Sequence, residues 1–302
     1  RPARQCLSLA VHGGADLSLD AAMVAADRSA RTAHSGELQS RSGGLQARDG
    51  TRSESTTTHA RILRCALAVA DSQAYWRHAD LDLVLTARLR RAFESRWFGV
   101  RSEARVRTLI AEMAARFDAF PEALALLHEL GTVPSNLRPY LCHVHTQLAD
   151  PIYRRFTGEM LPTRRAHGQT TIDRDVVARW VANLEPGRWS VATCAKFASN
   201  LLATTAEAGL VLGQQDPRKL MLHAVPERVL GYVLYVLRGV RIQGSLDNNP
   251  YLRSLGIDPE SFGRLGTCVP GVCVTELGRV IDVTWLEPNL RSWGLRYLGG
   301  GG

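Results

Sequence analysis

Polar side chains between positions 190 and 204 recur every three or four residues, which is the spacing of one face of an α-helix. They are Ser190, Thr193, Lys196, Asn200 and Thr204. Hydroxyls, an amide and a lysine can bind phosphate oxygens and the edges of bases. The spacing therefore predicts a helix face that contacts nucleic acid.

Four basic side chains flank this segment in the sequence, and these are Arg179, Arg188, Arg218 and Lys219. Basic side chains neutralise backbone phosphates, which adds affinity without adding sequence information. Lys196 and Lys219 are the only lysines in the chain, and both fall in this segment. We expect these side chains to contact DNA phosphates. The alternative is a purely structural module that packs against a partner protein.

Two amphipathic helices and a hairpin must position these residues. The first helix is predicted over 172–184, with Asp173 as its N-cap. The second is predicted over 191–208, capped by Ser190 and ended by Gly209. Two short strands then flank a turn at 213–218, whose tip carries the last two basic residues. This order is typical of a winged helix-turn-helix, in which the second helix meets the major groove of DNA.

A second group of arginines lies between positions 88 and 107. The candidate DNA contacts in it are Arg88, Arg91, Arg101 and Arg105. These side chains form either a second phosphate-binding surface or a solvated face that pairs with nearby glutamates. Trp97 and Phe98 stand in the same stretch, where they either stack on bases or cap the apolar core.

Apolar stripes at helical spacing predict an all-α bundle over 59–165. Its six helices are predicted over 62–70, 81–93, 102–117, 121–130, 134–148 and 151–160. Ser102 is expected to cap the third helix, and Pro121 opens the fourth, which Gly131 ends.

The segment 166–298 is predicted to form a C-terminal domain that contains the winged helix and mixed α and β structure. Beyond the wing, helices are expected over 226–240 and 250–255 and from 259 onward. Alternating apolar residues predict a β-hairpin over 269–286. The fold class is therefore mainly α, with an α+β arrangement.

The two ends of the chain are predicted to lie outside the domains. Residues 1–58 are rich in Ser, Thr, Arg and Gly, which predicts a disordered leader or residues added by a misassigned start. Residues 299–302 are four glycines, and we expect a tail there.

Composition and charge fit a globular nucleic-acid-binding protein. The 302 residues carry a net charge of +8, with a pI near 9.5. Six scattered cysteines without an evident signal peptide favour a reducing, cytoplasmic setting. The apolar segment 225–240 contains three charged residues and is too short to cross a bilayer, so no membrane association is expected.

Enzyme motifs are absent from the sequence: it has no Gly-x-Ser-x-Gly, no P-loop and no His-Glu-x-x-His. We therefore predict no catalytic residue, no cofactor and no metal. The alternative is a metal-dependent nuclease built on His143, His145 and Asp150, close to Cys142. A third class is a protein adaptor that docks through the winged helix and through apolar side chains such as Tyr232, Tyr235 and Trp293.

Several of these segments together resemble the BrxA-like proteins of BREX bacteriophage-exclusion systems. The resemblance extends over about 60–298 and follows the order of the elements and four local patterns. These patterns lie at 101–110, 189–197, 200–210 and 281–285.

This resemblance implies a non-enzymatic, double-stranded-DNA-binding component of a phage-defence system. It also implies a helical part similar to the antitermination factor NusB, joined to a winged-helix part. The implied contacts are Thr193, Lys196 and Asn200 on the second helix, together with the wing tip. Other proteins of the defence system are further implied partners, and the oligomeric state is left open.

Overall fold

Helices make up most of the described chain, which confirms the mainly α class. The computed structural model describes residues 52–299 apart from 223, 278 and 279. The first helices are α1 (Val69–His78), α2 (Leu85–Glu94), α3 (Glu103–Phe117), α4 (Pro121–Leu130) and α5 (Arg138–Ala149). Ser102 Oγ accepts a hydrogen bond from the Arg105 amide, and Gly131 ends α4 with a φ of 62°, as predicted.

The helix predicted over 62–70 is wrong in its position. A short 3₁₀ turn forms at Arg61–Leu63, and α1 begins only at Val69. The guanidinium of Arg116 donates hydrogen bonds of 2.8–2.9 Å to the carbonyl oxygens of Cys65, Ala66 and Leu67. Because a buried side chain occupies these carbonyls, the chain satisfies them without forming helical hydrogen bonds.

The helix that starts at Pro151 continues beyond its predicted end at 160. It consists of α6 (Pro151–Arg155), a π turn (Phe156–Met160) and α7 (Leu161–Ala166). Pro162 has no amide hydrogen and its ring would crowd the carbonyl one turn earlier. The wider π turn ends two residues before Pro162, and the helix continues through a residue that normally ends one.

The segment that follows has five elements, β2 (Thr171–Ile172), α8 (Arg174–Leu184), α9 (Val191–Glu207), β3 (Val211–Leu212) and β4 (Arg218–Leu220). Both helices match their predicted bounds and caps: Asp173 accepts from the Val176 amide and Ser190 from the Thr193 amide. The strands form an antiparallel sheet in the order β2–β4–β3. The hairpin was predicted, whereas β2 was not.

The last elements are α10 (Glu227–Arg238), β5 (Val240–Arg241), α11 (Pro250–Ser254), α12 (Pro259–Gly263), β6 (Val272–Leu277), β7 (Val280–Trp285) and α13 (Leu290–Tyr297). The helices at 227 and 250 and the antiparallel β6–β7 hairpin confirm the predictions. The helix α13 was not predicted. Asn289 caps it by accepting a hydrogen bond from the Ser292 amide at 2.9 Å.

The described chain has one apolar core rather than two. α10 packs on α5, and α13 packs on α4. Trp293 of α13 is fully buried, and its indole nitrogen donates to the Pro270 carbonyl oxygen. The division predicted at 165/166 therefore has no counterpart in the packing, because the C-terminal helices return to the N-terminal bundle.

Residues 52–58 were assigned to the disordered leader, and the structure corrects this boundary. β1 (Arg52–Ser53) pairs in parallel with β5. The carboxylate of Glu54 is buried, accepts a hydrogen bond from the Gln243 amide at 2.9 Å, and lies 3.4 Å from the Arg154 guanidinium. These contacts fix a segment whose composition alone is too polar to fold. The rest of the predicted leader, 1–51, and residues 300–302 lie outside the described residues.

Candidate nucleic-acid interface

Two lysines and one arginine are exposed in the segment that runs from β2 through α8, α9 and β3 to β4. Lys196 lies on α9 and Arg179 on α8. Lys219 lies on β4, where it is paired with Thr171 and Leu212 on the outward face of the sheet. None of these three cations forms an ion pair within the described part of the chain. Their charge is therefore available to an anionic partner.

Arg218 and Arg188 are held by neighbouring groups. The Arg218 side chain is only 14% exposed, and its Nε donates to Asp216 Oδ1 at 3.2 Å. The Arg188 guanidinium pairs with Glu185 and donates to the Thr58 carbonyl oxygen at 2.9 Å. Both arginines therefore help to fix local structure, which leaves less of their charge for phosphate than predicted.

The polar face predicted on α9 is only partly exposed. Thr204 is fully buried, and its hydroxyl donates to the Asn200 carbonyl oxygen at 2.7 Å. The Asn200 amide donates to the Leu63 carbonyl oxygen at 3.5 Å, because the 3₁₀ turn packs against this side of α9. The prediction is wrong for Thr204, and Asn200 is half-covered. Helical spacing could not show that a second segment packs there.

The side of α9 that meets solvent is shifted from the predicted face. Ala192, Lys196 and Ala203 are exposed, and Ser199 is half-exposed between them. Ser190 caps the helix, and its hydroxyl lies 3.0 Å from that of Thr193. Of the polar residues expected to read bases, the two at the N-terminus of α9 are thus engaged with each other.

The 3₁₀ turn whose Leu63 carbonyl accepts from Asn200 carries two further cations, Arg61 and, at its C-cap, Arg64. Their side chains are 42% and 55% exposed and lie 3.7 and 3.8 Å from Glu112 Oε1. Burial raises the pKa of Glu112, against the opposing effect of Arg61, Arg116 and Arg64. Neither arginine was among the predicted contacts: Arg64 falls inside the helix predicted over 62–70, and Arg61 directly precedes it.

The arginines of 88–107 are largely paired with the protein itself. Arg88 is buried, and its Nη1 donates to the Tyr75 hydroxyl at 2.6 Å and lies 2.7 Å from Asp118 Oδ2. Its assignment as a DNA contact is wrong, because the guanidinium is closed off from solvent. Burial raises the pKa of Asp118, while the Tyr75 hydroxyl and Arg88 lower it.

The other three candidates in this stretch are exposed or half-exposed but also have partners. Arg91 lies 3.6 Å from Asp80, and Arg101 lies 4.0 Å from Asp71. Arg105 Nη1 donates to the Arg64 carbonyl oxygen at 3.1 Å. These contacts favour the solvated, paired face over a second phosphate-binding surface. Trp97 and Phe98 are buried, so they cap the core.

The histidines of α5 lie in the core and face different partners. His143 is placed between the Tyr153 and Ser254 hydroxyls, at 2.9 Å from each. His145 Nε2 lies 2.7 Å from the Tyr232 hydroxyl, and its other nitrogen faces the Arg116 carbonyl. Burial lowers the pKa of His143 to about 3 and that of His145 to about 4. The two rings do not converge, and the described residues contain no group of side chains arranged to hold a metal ion.

Asp150 and the apolar candidates have structural positions. Asp150 caps α6 by accepting from the Tyr153 amide at 3.0 Å and lies 3.6 Å from His59 Nδ1; burial raises its pKa. Tyr232, Tyr235 and Trp293 are buried, so the expectation that they form a docking surface is wrong. Across the described part of the chain, no helix has the length and apolar character needed to span a membrane.

No protein-family model matches this chain, and no curated protein matches it. The resemblance to BrxA-like proteins therefore stays a prediction from the sequence patterns.

Proposed function

We propose that 171–222 is a winged helix and that the protein binds double-stranded DNA through α9 and the β3–β4 hairpin. The proposal is carried by the positions of Lys196 and Lys219, which are exposed on these two elements without an acidic partner in the described chain. The order of elements supports the winged-helix assignment. A strand, β2, precedes the two helices, and the second strand of the following hairpin, β4, pairs with β2. In this motif family the second helix enters the major groove, and flanking cations contact phosphates.

The exposed side chains favour binding with low sequence specificity. Base reading depends on side chains that form paired hydrogen bonds, such as an asparagine with adenine. On α9 the Asn200 amide bonds to the main chain at Leu63, and the outward face carries Ala192 and Ala203 beside Lys196. Affinity in this proposal therefore comes mainly from charge, with Arg179 adding to the lysines.

The wider role follows the sequence resemblance. We propose a non-enzymatic component of a BREX-type phage-defence system that acts in the cytoplasm beside other proteins of that system. The DNA-binding part of this proposal can be tested without the defence part, since it depends only on the chain itself.

A second candidate function is protein docking by the same module. Val191, at the start of α9, is 89% exposed, and Leu212, next to Lys219 on the sheet, is 60% exposed. Contiguous exposed apolar patches mark interfaces with other proteins, and in this second candidate the two side chains belong to such a patch. This interface would respond weakly to salt, whereas phosphate contacts weaken steeply as salt rises.

The test is fluorescence anisotropy of the full chain with labelled duplex DNA over a series of salt concentrations. The variant is Lys196→Glu with Lys219→Glu. Its matched control is Arg90→Glu with Arg96→Glu, which makes the same change of charge at two exposed arginines that form no ion pair in the described chain. Circular dichroism of each protein checks the fold.

We expect affinity to fall log-linearly with salt, and the lysine variant to lose roughly 2 from the slope, since each phosphate contact contributes about 0.9. The control should keep most of its affinity. Equal losses in the two variants would show that net charge alone drives binding and would contradict an interface on α9. Failure of the parent protein to bind DNA at low salt would favour protein docking.

A further inference from the structure

An open cavity of about 630 Å³ lies at the surface of the helical bundle, between the end of α1, the helix α2 and the last turns of α4, and most of the side chains that line it are exposed. This volume is within the range of about 300–1,000 Å³ that small-molecule sites occupy. The residues of the DNA proposal do not line it. Its polar lining consists of Arg77, His78, Asp80, Arg91, Ser95 and His128.

Two guanidinium groups give the cavity its positive charge. Arg77 is oriented by hydrogen bonds to the Gly131 carbonyl oxygen at 3.0 Å and the Thr132 hydroxyl at 3.2 Å. Arg91 is loosely held, because its Nη1 lies 3.6 Å from Asp80 and its side chain is 57% exposed. Asp80 is the one carboxylate in the lining, so the two arginines leave a net positive charge.

Two histidines stand in the same lining. The Nδ1 of His128 lies 2.9 Å from the Trp76 carbonyl oxygen, which can only accept, so Nδ1 carries the hydrogen and Nε2 is the free nitrogen. His78 stacks on Trp97, with ring centroids 5.4 Å apart. The pKa of His78 is lowered by partial burial and then by Arg77, His128 and Arg91, which reflects the surrounding positive charge.

The remaining wall is apolar and is formed by Ala79, Leu81, Leu124 and Ala125 beside the indole of Trp97. Leu81 is 39% exposed, so its side chain is accessible to a ligand. A ligand that fits this lining has an anionic group and an apolar part, because each half of the wall then meets a matching surface.

We propose that this cavity binds a small anionic ligand, with a phosphate or carboxylate between Arg77 and Arg91 and an apolar part against Leu81 and Leu124. Arginine forms paired, charge-assisted hydrogen bonds with both kinds of oxyanion. The site is independent of the proposed DNA interface, since none of the residues of that interface line it. Arg91 was predicted from sequence as a DNA contact, but it is not part of the proposed interface. In this proposal Arg91 binds a small ligand, whereas the sequence predicted that it contacts DNA phosphates.

The test is isothermal titration calorimetry of the full chain with three probes at constant ionic strength. Phenyl phosphate and benzoate carry the two candidate anions on the same ring, and benzamide is the neutral match. In parallel, the imidazole resonances of His78 and His128 are followed by NMR during the titrations. The variants are Arg91→Gln and Arg77→Gln, and the control is Arg90→Gln, the neighbouring exposed arginine outside the lining.

We expect at least one anionic probe to bind and to shift both histidine resonances, while benzamide does neither. Arg91→Gln should weaken binding by roughly tenfold, as expected for the loss of one charge-assisted contact, and Arg90→Gln should leave it unchanged. The preferred probe distinguishes a phosphate from a carboxylate. Arg77→Gln removes hydrogen bonds to Gly131 and Thr132. If that variant fails to fold, the result with Arg91→Gln decides the test.

Three results would overturn the proposal. They are no binding of either anion at millimolar concentration, equal binding of benzamide, and anion binding that survives Arg91→Gln without a shift of the histidine resonances.

Discussion

His143 and His145 show how much a residue's chemistry depends on its surroundings. In sequence they stand two residues apart beside Cys142, a pattern that allowed metal chemistry. In the fold each ring is buried and bonded to a tyrosine hydroxyl at 2.9 and 2.7 Å. Both rings therefore act as neutral hydrogen-bonding groups of the core, and an exposed lysine such as Lys196 is the better functional candidate.

Burial of these two neutral histidines predicts a loss of stability as the pH falls. Their folded pKa values, about 3 and about 4, lie below the ordinary value of 6.5. Below pH 6.5 the unfolded chain binds protons that the folded chain does not. The stabilisation is thus complete above that pH and is lost progressively below it, by about 1.4 kcal/mol per pH unit for each histidine.

Urea denaturation of the parent and of His145→Gln between about pH 7 and pH 5 checks this prediction. The variant cannot titrate at this position, so its free energy of unfolding should fall less steeply than that of the parent, by up to about 1.4 kcal/mol per pH unit. The buried carboxyls of Glu112 and Asp150 have raised pKa values and act in the opposite direction in both proteins. Identical slopes would contradict a neutral His145 in the folded state.

Gly158, within the π turn, determines how closely two elements can approach. A Cβ at this position would lie 2.4 Å from Pro250 Cβ and 2.5 Å from the Pro250 carbonyl oxygen. Because the obstacle includes main-chain atoms of α11, a side chain cannot simply move aside. The glycine therefore serves the packing of the π turn against α11.

We expect Gly158→Ala to lower the free energy of unfolding by about 2 kcal/mol, the cost of overpacking a core contact. Gly239→Ala is the matched control: its φ is −95°, and the nearest atom to an added Cβ is 3.7 Å away. The control should stay within about 0.5 kcal/mol of the parent. Urea denaturation measures both, and equal effects would show that the close approach at Gly158 carries no special cost.

At the scale of the whole molecule, the described residues share one core. The helices α10 and α13 cover α5 and α4, so a fragment that ends at 165 would expose the apolar side chains that these helices bury. We expect the full chain to unfold in one cooperative thermal transition, and the fragment 1–165 to show none. Circular dichroism against temperature tests this. A cooperative transition in the fragment would support the two domains predicted from sequence.

Elements whose signals are local could be predicted from the sequence alone. Ser102, Asp173, Ser190, Asn249 and Asp258 each cap a helix through an amide three residues away, so spacing and residue type were sufficient. The β6–β7 hairpin was predictable for the same reason, since its strands are neighbours in the chain. The helical spacing of Cys194, Phe197 and Leu201 places them on one face of α9, and all three are buried in the core.

Which polar residues remain available to a partner depends on contacts between distant parts of the chain. Asn200 meets Leu63, which is 137 residues away in the chain, and Arg116 takes the carbonyls of residues about 50 positions before it. Arg88 finds its partner 13 residues earlier, in Tyr75 of another helix. The availability of a charge depends on burial and on partners that the fold brings together across the chain. Periodicity reports one helix at a time, so it located the candidate interface and could not choose among its side chains.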